Sequence, residues 1–250
     1  MFLSTEARDC LYVNWAVPLS EAPVLPAPLR YELHKSGGRD VVFFSALCFR
    51  MSGLHPEVFP LLRISYPQLT LRTYVLDGDN VASVLFVRVW VPLWVAPLTR
   101  WVGRQPASPG LFVFPPPTRT RMQDEFSWRV RSQERFEVRA RLAAPMVGEE
   151  PSLGSFARTV EYFRRRPRGY VVLGGKLRAI ERSHPQVDVL PLAAEVPETS
   201  LLHSTWPAVS PQVWESPHSA WLCPEIPFSF ELGPPIHLPM PVLPAVEARF

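Results

Sequence analysis

The sequence predicts a mainly β protein with minor α content: one large antiparallel β-barrel or cone carrying two short helices. Three observations point there. Apolar and polar residues alternate along many short runs, the two-residue period of a half-buried strand. Proline accounts for 30 of 250 residues, against a usual level of about 5%, which works against long helices and suits strand ends and ordered coil. No strand–helix–strand alternation of the kind that builds a parallel sheet is visible. With 47% hydrophobic and 12% aromatic residues, the chain has material for a substantial core, and disorder is set aside.

Taken in order, Leu11, Val13 and Trp15 alternate with Tyr12, Asn14 and Ala16, giving a first strand over 9–17. Four prolines in 18–28 make a fixed connector, and 29–33 returns as a second strand. A turn at Gly37-Gly38 leads to a strand over 41–51 that is apolar on both faces and so belongs inside the sheet. After a loop over 52–60 comes the most informative stretch, 68–76, closed by the hairpin signal Asp77-Gly78. Leu69, Leu71, Thr73 and Val75 share one face, and Gln68, Thr70, Arg72 and Tyr74 the other. An amide, a hydroxyl, a guanidinium and a phenol in a row either look at water or line something polar inside the fold.

The run 81–91 pairs back on this strand, and register decides whether Arg88 shares a face with Arg72. A short helix fits 92–103 despite Pro97, followed by a Pro-rich loop over 105–118. Over 125–142, Phe126, Trp128, Val130, Phe136 and Val138 alternate with an arginine-rich outer face, the pattern of a hairpin. Leu153, Phe156, Val160 and Phe163 line one side of a second helix over 152–163, and Arg164–Arg166 at its end suit the helix dipole. A hairpin around Gly174-Gly175 and a strand over 187–193 follow. From Glu195 onward periodicity fades, although 228–232 could close a sheet edge.

Charge narrows the function classes. The net charge is +3, but the basic excess lies in 119–182, and 183–248 holds acidic groups only. A basic middle and an acidic, Pro-rich end suggest that residues 196–250 form an extension packing on a domain of residues 1–195, which leaves no free basic surface for nucleic acid. The run 81–98 is the most membrane-like, yet it contains Arg88, Pro92 and Pro97, so no membrane span is expected. Met1–Ala16 carries Glu6, Arg8 and Asp9 where a secretory signal would be apolar. Three cysteines, Cys10, Cys48 and Cys223, match no metal spacing and read as reduced, buried thiols of a cytoplasmic protein.

Several local patterns carry a family likeness. They are Thr70-Leu71-Arg72-Thr73-Tyr74-Val75, then Ser152-Leu153 with Phe156, Glu161-Tyr162 and His184-Pro185, in that order. Over most of residues 3–195 the chain resembles the YqjF-like uncharacterised bacterial proteins of the acetoacetate decarboxylase-like superfamily. The resemblance implies an antiparallel β-barrel or cone with an internal pocket. It also brings to mind the decarboxylases, in which a buried lysine forms a Schiff base with a β-keto acid.

Here the chain departs from that pattern. Its only lysines, Lys35 and Lys176, both sit in turns, which lie at the surface rather than in an apolar pocket. Gln68 stands where the family usually has a glutamate, and Thr70 where it has asparagine. What remains is Arg72, able to hold a carboxylate in a bidentate fork. The expected ligand site is therefore Arg72 with Gln68, Thr70 and Tyr74, and with Arg88 and Arg100 as further anion clamps. His184 is the candidate for a catalytic role. No metal and no cofactor are expected. The chain reads as a binder of a small anionic molecule, or alternatively as a lysine-independent enzyme acting on a small keto or carboxylic acid.

Overall fold

The computed structural model describes residues 2–101, 103, 105–116, 125–144, 153–183, 185 and 187–236. Its strands are β1 Phe2–Pro18, β2 Arg30–Tyr31, β3 His34–Ser36, β4 Arg39–Pro56, β5 Ile64–Leu76, β6 Ala82–Val91, β7 Ala107–Pro109, β8 Leu111–Val113, β9 Phe126–Arg131, β10 Arg135–Leu142, β11 Arg168–Leu173, β12 Lys176–Ser183, β13 Leu190–Glu198 and β14 Ser219–Ile236. Its α-helices are α1 Ala96–Trp101, α2 Phe156–Arg164, α3 Ser200–Thr205 and α4 Pro211–Glu215.

All fourteen strands belong to one sheet, whose path runs β1-β4-β5-β6-β11-β12-β14-β13-β10-β9-β8. This corrects the expected antiparallel barrel with two helices. Four α-helices are present among the described residues, not two. Two pairings, β6 with β11 and β6 with β7, are parallel. The sheet as a whole does not close into a barrel, and β14 is the reason. One edge of β14 takes β1 over Ser219–Glu231, while the other takes β13 at Ala220–Leu222 and then β12 from Ser229. A strand with two successive partners on one edge forks the sheet. One arm folds back through β12 and β11, and the other leads away through β10 and β9 to β8.

The periodicity that was faint beyond Glu195 is thus a long strand interrupted by prolines. Pro224 and Pro227 fall between the stretches paired with β13 and β12, where that edge has no strand beside it and a missing N–H costs the ladder least.

Two apolar clusters clasp the central strands. On one face Leu69 and Leu71 pack with Trp15, Trp90, Trp128, Trp206 and Trp214. On the other, Tyr74 packs with Tyr12, Phe43, Phe163 and Trp221. Both faces of β5 are therefore covered, and its polar row does not look at water. α2 supplies part of the lid on that side. Its N-terminus is capped by Ser155, whose hydroxyl accepts the Arg158 N–H, and its last turn delivers Phe163 against Tyr74, the rings 4.8 Å apart.

The long strands β1, of 17 residues, and β4, of 18, begin earlier or end later than their alternation alone suggests, because each is paired along most of its length. The cysteines at 10, 48 and 223 are free and buried. No helix among the described residues is long and apolar enough to cross a membrane.

Candidate functional site

A cavity of about 90 Å³ lies where β1, β4, β5, β6, β12 and β14 fold around one another. Its walls are mostly apolar, with Leu47, Phe49, Phe86, Ile180, Ile226 and Phe228. Most of the polar part of the wall comes from β5, where Gln68, Thr70 and Arg72 all reach it, with Tyr12 and Gln105 adding the rest. Gln68 donates one amide N–H to the Thr70 hydroxyl at 2.8 Å, which ties the two side chains together.

Arg72 is only 3% exposed. Its Nε and Nη2 donate to the Tyr74 hydroxyl at 3.1 and 2.9 Å, and Nη2 also donates to the Phe163 carbonyl at 3.2 Å. The guanidinium lies 5.2 Å from the ring centres of both Tyr12 and Tyr74. Burial works against the charged form, but the Tyr74 and Tyr12 hydroxyls outweigh it and keep the group protonated. Among the described residues no carboxylate pairs with Arg72. Neutral dipoles, π faces and a carbonyl from the last turn of α2 stabilise the cation instead.

The contacts behind Arg72 form a chain with one direction. Arg72 donates to Tyr74, whose hydroxyl lies 2.8 Å from Ser45 Oγ. Ser45 donates to Asn14 Oδ1 at 2.5 Å, and Asn14 Nδ2 donates to the Ser219 carbonyl at 3.2 Å. Because the Ser45 proton is committed to Asn14, Tyr74 must donate to Ser45. Every oxygen therefore turns its negative end toward the cation, and such a chain strengthens cooperatively. Arg166, also near Tyr74 at 5.3 Å from its ring centre, differs in having a carboxylate: Glu32 lies 2.5 Å from its Nη1.

Other titrating groups at the cavity are held neutral. Burial pushes the Cys10 thiol well up, with Cys223, its partner across the β1–β14 ladder, adding to the effect. Burial likewise raises Tyr12 to about 12. Among the described residues that line the cavity there is no Asp, Glu, His or Lys.

The expected site residues fall in four places. Gln68, Thr70 and Arg72 meet at the cavity. Tyr74 is buried behind Arg72 and supports it rather than lining the space. Arg88 is turned to the opposite face by a bulge in β6. Arg72 pairs with Phe86 while Leu71 pairs with Arg88, leaving Val87 as the extra residue. Phe86 accordingly lines the cavity, and Arg88 lies outside it, 5.2 Å from the Trp90 ring. Arg100 is on the exposed side of α1 and donates to the Ala107 carbonyl at 2.6 Å. His184 lies outside the described residues. Lys35 is exposed and pairs with Asp40 at 2.8 Å, and Lys176 is exposed at the start of β12; neither lines the cavity.

Tyr12, Cys10, Asn14 and Ser45 are participants that strand reading passes over. Their signal was the polar set Tyr12 and Asn14 on one face of an otherwise apolar first strand. Only pairing shows that this face meets the polar row of β5.

This mainly β sheet folded around a small cavity is a fold that solved structures share. It is similar over 95% of its length to an acetoacetate decarboxylase-like enzyme from Sphingomonas wittichii RW1, with a TM-score of 0.61, 15% identity and 94% of that chain covered. It is also similar to the enduracididine biosynthesis enzyme MppR complexed with the condensation product of pyruvate and imidazole 4-carboxaldehyde. That match has a TM-score of 0.61, 13% identity, and covers 94% of this chain and 88% of the other. MppR complexed with pyruvate matches with a TM-score of 0.58, 14% identity and the same coverages. No curated protein matches the chain. The family model of DUF2071, described as an uncharacterized conserved protein, matches residues 4–226. The chain belongs to this DUF2071 family.

Proposed function

We propose that the protein binds a small carboxylate in its internal cavity, with Arg72 as the anchor and without a lysine Schiff base. The observation that carries this reading is a guanidinium that faces a cavity, is almost fully buried, and has no carboxylate partner among the described residues. Burying a cation costs several kcal/mol unless something compensates it. The neutral groups around Arg72 offset part of that cost, and an incoming carboxylate would offset more through charge-assisted hydrogen bonds. Structurally similar MppR holds pyruvate in one of its complexes, which supports a small keto acid as one member of the ligand class.

The cavity favours a binder over an enzyme. Cys10 and Tyr12 are both shifted toward their neutral forms, so neither supplies a general base near pH 7. The exposed lysines support the exclusion of Schiff-base chemistry.

A thermal-shift screen of short carboxylic and keto acids tests the reading on wild type and Arg72→Met. An acid present at 100 times its Kd adds about 2.7 kcal/mol of stability, a rise of several degrees in Tm. Wild type is expected to show that rise and Arg72→Met to lose it. Equal shifts in both proteins, or none in wild type, would rule out the anchor.

A further inference from the structure

The cavity at Arg72 has an apolar neighbour. A groove of about 230 Å³ lies beside it, lined by Leu54, Leu62, Ile64, Tyr66 and Leu98 among others. Met51, Gln68 and Gln105 belong to the walls of both. These shared residues are all that the two linings have in common, and their side chains differ in freedom. Gln68 is engaged with Thr70. Met51 is an unbranched thioether with three rotatable bonds. Gln105 sits in the short connection between α1 and β7, its N–H bonded to the Thr99 carbonyl at 3.1 Å.

The two spaces are complementary in chemistry. The cavity ends on a cation, whereas the groove is apolar and opens toward solvent past Leu62 and Leu98, which are 66% and 43% exposed. Size matters too. An apolar cavity of about 150 Å³ is enough for benzene, so 90 Å³ holds only an acid smaller than benzoate. A longer molecule has to extend beyond the cavity, and Met51 and Gln105 stand between it and the groove.

We propose that cavity and groove form one site for a single amphipathic carboxylic acid, whose acyl tail passes between Met51 and Gln105 and lies on Leu54, Ile64, Leu62 and Leu98. This rests on the anchoring of a carboxylate by Arg72, and adds to it a ligand class: linear acids of medium length rather than short acids alone. The carboxylate meets Arg72, the first carbons contact Phe86 and Ile226, and the tail exchanges water for the groove wall. Each buried methylene contributes a fixed increment, up to about fourfold in affinity.

The test measures Kd by calorimetry for the linear saturated acids from propanoate to decanoate, using the full chain as wild type, Arg72→Met, Leu98→Glu and Leu62→Glu. Wild type should bind octanoate at least tenfold more tightly than butanoate. Leu98→Glu and Leu62→Glu, both at water-exposed positions, should bind propanoate like wild type but lose most of the gain with length. Methyl octanoate, which lacks the charge, should bind far more weakly than octanoate. If short acids bind through Arg72 but affinity stops rising at butanoate, the tail site is wrong and the anchor stands. Unchanged length dependence in both groove variants also overturns the tail site. If no acid binds in an Arg72-dependent way, the anchor fails and the tail site with it.

Discussion

Two buried charges lie at the two ends of one stretch of chain, and their surroundings are opposite. Asp77, just beyond β5 and 3% exposed, is satisfied from every side. Its Oδ1 accepts the N–H groups of Asp79 and Val81 at 2.9 Å, and its Oδ2 accepts from Tyr170 at 2.9 Å and Arg168 at 3.0 Å. This closes the turn and ties β11 to the start of β6. Arg72, equally buried, meets only neutral oxygens and aromatic faces among the described residues. A charge with its counter-charge built in is a structural part, and the absence of one beside Arg72 is what the proposed ligand role rests on. Burial alone does not separate the two cases; the inventory of partners does.

The contrast can be broken most directly by removing each charge. Asp77→Asn is expected to destabilise the fold by roughly 3 kcal/mol, since it leaves Arg168 and Tyr170 facing a neutral group. Urea unfolding would measure it, and a loss below about 1 kcal/mol would mean that Asp77 is not the clasp described here. Arg72→Met should behave differently. Replacing a buried charge that has no counter-charge by an apolar side chain of similar length removes the desolvation cost of the ion along with its neutral hydrogen bonds, so its stability should stay within about 1 kcal/mol of wild type while acid binding disappears. A collapse of the fold on this substitution would place Arg72 with Asp77 as structural.

pH sharpens the same comparison. Burial would raise the Asp77 carboxyl, but the Val81 N–H, the Tyr170 hydroxyl and Arg168 outweigh it and hold the group below its ordinary range. A carboxyl with a depressed folded pKa contributes stability that is complete above its unfolded value of about 3.9. That stability is lost as pH falls through the folded value. Acid titration of stability should therefore show a loss below pH 4 that is smaller in Asp77→Asn, and equal acid sensitivity in both proteins would contradict the assignment. The smallest effect is expected on the β9–β10 hairpin, where Arg139 donates to Glu137 at 2.9 Å with its side chain 49% exposed. Arg139→Ala should cost under about 1 kcal/mol, and less in high salt.

These differences explain how much of the molecule could be read in advance. The central strands, the Asp-Gly hairpin, the β9–β10 hairpin, α2 and the hairpin at Gly174-Gly175 were legible because each is a local pattern of period two or 3.6 closed by its own turn or cap. The polar row Gln68-x-Thr70-x-Arg72 was legible for the same reason. Its neighbours were not. The tie between Arg72 and Asn14 runs through Tyr74 and Ser45, residues of three different strands, and no periodicity links them. Arg88 was grouped with Arg72 because a regular register would put Arg88 and Arg72 on one face. The single extra residue Val87 reverses that, and a bulge leaves no mark in an unbroken apolar run. The end of the chain was misjudged through its prolines, which hid α3, α4 and the strand that forks the sheet.

By itself, then, the sequence determined a proline-rich, strand-built core, the polar face of one central strand, and the lack of a lysine placed for Schiff-base chemistry. These are properties of residue type and of neighbours close along the chain. Only the tertiary structure decided that the polar face points inward, that Arg72 has no carboxylate partner among the described residues while Asp77 is surrounded by donors, and that the sheet forks at β14. Each of those depends on which distant segment arrives at a given strand edge. Long-range pairing sets that, and local alternation does not encode it.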